Sequence, residues 1–148
     1  MKTSNFTLPS TSQNNYSLKN SIGKYVVLYF YPKDDTPGCT IEGNDFTQLN
    51  EDFTENNTVI YGVSRDSVAS HEKFKQKFDY TIDLISDEDE SLCNQFDVIK
   101  LKKLYGKEHM GIVRSTFVIS PTGEILKHWD KVKVAEHAQE VLEFVKEL

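Results

Sequence analysis

Tyr25-Val26-Val27-Leu28-Tyr29-Phe30-Tyr31 is a continuous β-prone run with no polar side, and Pro32-Lys33-Asp34-Asp35-Thr36-Pro37-Gly38-Cys39 follows it directly. A strand that is apolar on both faces is covered on both faces, so the run predicts a central strand. After it, Ile41, Phe46, Leu49 and Phe53 recur three to five residues apart, which predicts a helix beginning near Cys39. Strand, loop and helix N-terminus in succession place Cys39 at the carboxyl end of a central strand. Open α/β sheets bind their ligands there.

Further along, the alternation repeats. Val59-Ile60-Tyr61-Gly62-Val63-Ser64 predicts a second buried strand. Asp66-Ser67 serves as a helix cap, and Val68, His71, Phe74 and Phe78 share one side of the helix it opens. Asp83-Leu84-Ile85-Ser86 is a short extended segment, and residues 87–96 open with acids that suit a helix N-terminus, with Cys93 late in that helix. Residues 99–107, including Lys100-Leu101-Lys102-Lys103-Leu104, are expected to be a basic, irregular, solvated loop. A strand over 113–120, a turn at Pro121-Thr122-Gly123-Glu124 and a return strand over 125–129 form an antiparallel hairpin. Residues 134–148 close the chain as an amphipathic helix, with Val134, Ala138, Val141, Leu142, Val145 and Leu148 on one stripe. Before the central strand, Phe6-Thr7-Leu8 and Tyr16-Ser17-Leu18 flank a polar stretch and predict a peripheral hairpin. The order predicts an α/β protein with a mixed sheet flanked by helices on both faces, built as a single domain over 1–148.

Composition narrows the function. The 148 residues are 38% hydrophobic and 27% charged, with nine Phe and seven Tyr, enough for one stable core. A net charge of −6 works against nucleic acid and against anionic membrane surfaces. The start Met1-Lys2-Thr3-Ser4-Asn5-Phe6 lacks the pattern of a secretory signal and the 25–31 run is too short to span a bilayer, so the expected location is the cytoplasm. Cys39 and Cys93 alone exclude a disulfide framework of the secreted type. The four histidines, His71, His109, His128 and His137, have no metal-ligand spacing with either cysteine, and surface or structural roles are expected for them. No phosphate-binding glycine pattern occurs. No metal, haem or nucleotide cofactor is expected.

Chemistry centres on Cys39. Helix N-termini and cationic neighbours favour the thiolate form of a cysteine and make it nucleophilic. The plain alternative is a small buried hydrophobe. The neighbours weigh against it: Pro32, Thr36 four residues on and Cys39 three further resemble the peroxidatic loop of the peroxiredoxins, in the Tyr31-Pro32 through Thr36-Pro37-Gly38-Cys39-Thr40 form of the peroxiredoxin Q, or bacterioferritin comigratory, subfamily. Tyr61-Gly62-Val63-Ser64-Arg65-Asp66-Ser67, Ser86-Asp87-Glu88-Asp89-Glu90 and Gly111-Ile112-Val113-Arg114-Ser115-Thr116-Phe117 are similar to that subfamily in order and spacing, so the resemblance spans the chain.

The resemblance implies a thioredoxin-like fold and a thiol peroxidase that reduces hydrogen peroxide and organic hydroperoxides, recycled by thioredoxin or another external thiol, and monomeric. It implies that Cys39 is the nucleophile, that the Thr36 hydroxyl bonds thiolate and peroxide, and that the Gly38 and Cys39 amides hold the substrate oxygens. Pro32 would shape and shield the pocket, Arg114 would stabilise the thiolate and orient peroxide, and Glu42 would hold Arg114. The first cysteine of a thioredoxin motif is missing, which disfavours dithiol exchange at this loop.

The chain departs from the subfamily after the first step. The sulfenic acid must be reduced or be overoxidised. One resolving position of the subfamily is Asn44 here, and the helix over 67–78 that carries the other has no cysteine. Cys93 is the internal candidate, requiring its Cα within about 7 Å of that of Cys39; the alternative is one-cysteine behaviour with an external thiol. A redox sensor or interaction protein, forming a mixed disulfide at Cys39 without efficient turnover, stays open beside the enzyme.

Overall fold

The computed structural model describes residues 2–148. Strands β1 (Thr7–Ser10) and β2 (Gln13–Ser17) form the expected N-terminal hairpin, and a short 3-10 turn (Leu18–Ser21) leads to β3 (Tyr25–Phe30). Then come α1 (Pro37–Glu55), β4 (Thr58–Ser64), α2 (Val68–Lys77), β5 (Asp83–Ser86) and α3 (Ser91–Gln95). The chain ends with β6 (Ile99–Leu104), β7 (Lys107–Ile112), β8 (Ser115–Ile119), β9 (Ile125–Trp129) and α4 (His137–Lys146).

Seven strands make one mixed sheet in the order β2-β1-β5-β4-β3-β8-β9. β3, β4 and β5 are parallel, while β8 runs antiparallel to β3, β9 to β8 and β1 to β5. The period of two along β3 divides the core. Val27, Tyr29 and the following Tyr31 pack with Phe46 and Phe53 of α1, Phe74 of α2 and Val141 of α4. Val26, Leu28 and Phe30 pack on the opposite face with Leu92 and Cys93 of α3, Phe96, Ile112 and the N-terminal residues Phe6 and Tyr16. Full burial of each such side chain contributes roughly 1.5–3 kcal/mol.

Several boundaries differ from the sequence reading. Residues 99–107 are not an irregular loop: Ile99–Leu104 pairs with Lys107–Ile112 as a separate two-stranded sheet. Tyr105 and Gly106 turn it with φ of 52° and 76°, the two positive angles that a primed two-residue hairpin requires. The lysines concealed the strand because the hairpin projects from the body and leaves Leu101 and Met110 exposed in place of a buried face. In α1 the buried residues are Cys39, Glu42, Gly43, Phe46 and Phe53, so Ile41 lies off that stripe and is 53% exposed. The helix expected over 87–96 is only Ser91–Gln95, because Asp87 stays outside it and accepts the Leu92 and Cys93 amides at 3.0 and 2.7 Å. β8 starts at Ser115, leaving Val113 and Arg114 as a link after β7, and α4 starts at His137 after a left-handed Glu136.

Candidate active site

Thr36 precedes α1 in extended conformation (φ −105°, ψ 154°), and Pro37 takes the first helical position, where its missing N–H is no loss. Gly38 and Cys39 follow, and their amides belong to the first turn, which has no acceptor inside the helix. The positive end of the helix therefore points its N–H groups at the region around Cys39. Cys39 is 2% exposed and shares an apolar cluster with Tyr29, Tyr31, Phe46 and Tyr80.

Arg114 reaches this turn from the link between β7 and β8. Its backbone is held there by Val132, whose N–H donates to the Arg114 carbonyl at 2.9 Å. Nη2 donates to Cys39 Sγ at 3.4 Å, and Nη1 donates to Glu42 Oε1 at 2.6 Å. The guanidinium lies over Gly38, where an added Cβ would stand 3.1 Å from Nη2; glycine lets the cation settle against the helix. Burial disfavours the Arg114 cation, but Glu42 and Cys39 outweigh it and raise its pKa. Glu42, one helical turn beyond Cys39, is 1% exposed, and burial lifts its carboxyl to about 7 against the opposing pull of Arg114. Its Oε2 has no hydrogen-bond partner among the described residues.

The sign of the Glu42 shift sets a testable dependence. A carboxyl raised from 4.5 to about 7 binds its proton more tightly when folded, so its contribution favours the native state most below pH 4.5 and declines as pH rises to about 7. Glu42→Gln is expected to gain stability relative to wild type across that window, by an amount on the order of 3 kcal/mol. Urea unfolding of both proteins at several pH values checks it; a difference independent of pH would contradict the assignment.

Thr36 does not bond the sulfur. Its hydroxyl donates to the Lys33 carbonyl at 2.8 Å, so what it presents towards a ligand is lone pairs. Pro32 is half-buried at the start of the same loop. Arg114 thus meets Gly38, Cys39 and Glu42 on the first turns of α1, while Pro32 and Thr36 lie on the loop that leads into it.

Cys93 stands apart. It is fully buried in the cluster on the opposite face of the sheet from Cys39. Burial, followed by the Asp87 carboxylate, pushes its thiol far above the ordinary range. A sulfur that is protonated and separated from Cys39 by the central sheet is poorly placed to attack there.

Lys102 was not singled out as a site residue, being read as part of a solvated loop. Burial lowers its pKa, and Arg114 and Arg65 lower it further, with Cys39 opposing them. The hairpin therefore places Lys102 within electrostatic range of Arg114 and Arg65. The alternation Ile99, Leu101 against Lys100, Lys102 was the available signal. Asp34, read only as a loop residue, is 7% exposed.

The AhpC/TSA family matches residues 1–128. The chain is 52% identical over 130 residues to peroxiredoxin Bcp of Xanthomonas campestris pv. campestris, covering 88% of this chain and 81% of that protein. It is 52% identical over 126 residues to peroxiredoxin Bcp of Bacillus subtilis, covering 85% and 80%. A solved structure of the Xanthomonas campestris bacterioferritin comigratory protein, concerned with that protein's alkyl peroxide reduction activity, superposes with a TM-score of 0.92 at 48% identity and covers 96% of this chain and 90% of that one.

Proposed function

Because the chain belongs to the AhpC/TSA family and is a thiol-dependent peroxidase with a thioredoxin-like fold, we propose that Cys39 is the sulfur that attacks peroxide and that an external thiol completes the cycle. The observation that carries this is the Cys39 thiol in the first turn of α1 with Arg114 Nη2 3.4 Å away and fixed from behind by Glu42. In the first step the Cys39 thiolate attacks one oxygen of ROOH, the O–O bond breaks, and Cys39 becomes a sulfenic acid while RO⁻ departs and takes a proton as ROH. Arg114 stabilises the charge as it moves from sulfur to the leaving oxygen, and the Gly38 and Cys39 amides add donors to the same oxygens. Thr36, its own hydrogen given to Lys33, accepts the hydrogen of the hydroperoxide under attack. Pro32 shields the sulfur from water.

In the second step a thiol attacks the sulfenic sulfur, releasing water and leaving a mixed disulfide; a second thiol then restores Cys39. The separation of Cys93 from Cys39 by the sheet favours an external resolver, with thioredoxin or a similar dithiol protein in that role and Cys93 as a packing residue. Hydrogen peroxide and small organic hydroperoxides are the substrates in this reading. The subfamily resemblance supports a monomer, and two unpaired cysteines support the reducing cytoplasm. The chain acts as one domain over 1–148. No helix among the described residues is long and apolar enough to cross a membrane.

Steady-state peroxide consumption with thioredoxin, its reductase and NADPH tests the proposal. Many equivalents of peroxide per protein are expected. Consumption stopping at about one equivalent with every thiol reductant would favour the sensor reading instead.

A further inference from the structure

Asp34 and His71 form a buried pair behind the loop that presents Cys39. The Asp34 carboxylate accepts from the Tyr31 hydroxyl at 2.6 Å on Oδ1 and from the Ser70 hydroxyl at 2.7 Å on Oδ2. His71 Nδ1 stands 2.7 Å from Oδ2 and 3.0 Å from Oδ1. The ring, wholly buried on α2, turns Nε2 to the Ile85 carbonyl of β5 at 2.9 Å. The two ring nitrogens thus bridge the Asp34 carboxyl to the β5 backbone, each against an oxygen partner. Burial, then the Asp34 charge, keep the Tyr31 hydroxyl protonated and a donor. The Asp34 N–H in turn donates to Asp66 Oδ2 at 2.9 Å, an oxygen that also accepts from Ser64 Oγ at 2.5 Å. Outside this cluster, Asp35 pairs with exposed Lys77 at 2.8 Å.

One loop residue is therefore tied to Tyr31 just after β3, to α2, to the turn after β4 and, through His71, to β5. Its neighbour Lys33 supplies the carbonyl that orients the Thr36 hydroxyl. A buried polar network with its contacts satisfied contributes fixed geometry more than stability. We propose that the Asp34–His71 pair is a positioning device for peroxide: it sets the loop so that the Thr36 oxygen and the Gly38 and Cys39 amides converge on the substrate oxygens, without touching them itself. This rests on Cys39 being the peroxidatic sulfur.

The test compares two second-order rates at Cys39, located by mass spectrometry: oxidation by hydrogen peroxide, and alkylation by iodoacetamide, which needs the thiolate but not the oxygen-binding groups. His71→Gln is expected to slow oxidation about tenfold while alkylation stays within about twofold. Ser70→Ala, which keeps His71 and removes one donor to Asp34, is expected to lower the ratio of the two rates by about twofold to threefold. If His71→Gln does not fold, Ser70→Ala alone decides. An unchanged ratio in every variant that folds, whether both rates fall together or neither moves, overturns the proposal. Failure of the underlying reading shows separately, as a wild-type Cys39 that peroxide does not oxidise in preference to alkylation.

Discussion

Cys39→Ser is expected to lower peroxide consumption by at least about a thousandfold, to the uncatalysed background, with no change in fold. A serine hydroxyl in the first turn of α1 would still meet the Arg114 guanidinium, but it neither ionises at neutral pH nor attacks an O–O bond as sulfur does. Cys93→Ser provides the contrast. That sulfur packs with Leu92 and Phe96 on the other face of the sheet, so the substitution is expected to cost stability while leaving the peroxide rate within about twofold of wild type, since neither thiol of an external resolver passes through it. A stopped-flow assay of peroxide loss, with circular dichroism to confirm folding, separates the two. Substantial activity in Cys39→Ser would contradict the mechanism at its first step.

Arg114→Lys is expected to lower the rate of Cys39 oxidation about a hundredfold, equivalent to about 2.7 kcal/mol of transition-state stabilisation. The positive charge is retained, so the expected loss comes from geometry. Arg114 uses Nη1 on Glu42 at 2.6 Å and Nη2 on Cys39 Sγ at 3.4 Å, and the planar fork fixes one contact by means of the other. An ammonium is a single centre that cannot hold both partners in that arrangement. It would settle on Glu42, whose buried carboxylate otherwise lacks any partner, and leave the sulfur. Arg114→Lys with a rate within about threefold of wild type would show that bulk positive charge suffices.

Most of the candidate site is local in the sequence. Pro32 to Glu42 lie on one loop and one helical turn, and only Arg114 comes from afar. The central strand was equally clear, because alternate residues of β3 feed two apolar clusters and leave no polar side to confuse the pattern. What escaped notice depends on pairing across the fold. Asp34 looked like a loop acid, but its partners stand on another helix and strand. His71 was visible on the apolar stripe of α2, where a buried imidazole demands a partner, yet the partner's position was not. The contact of the Thr36 hydroxyl with the Lys33 carbonyl depends on the fold of the loop, which spacing does not reveal. The β6–β7 hairpin was missed because its stability comes from a turn and cross-strand pairing, with exposed lysines and apolar residues alternating on a projecting arm. The faces of the sheet on which Cys39 and Cys93 lie follow from its topology, which neither spacing nor neighbours reveal.

Intact mass of the wild type and of Cys93→Ser, after one equivalent of hydrogen peroxide and before any thiol is added, tests the proposed chemistry most directly. Both proteins are expected to gain oxygen, mapped to Cys39, and both are expected to return to the starting mass with thioredoxin. Loss of two hydrogens by the wild type alone, with a Cys39–Cys93 disulfide in the digest, would contradict external resolution and require the two faces of the sheet to open to each other.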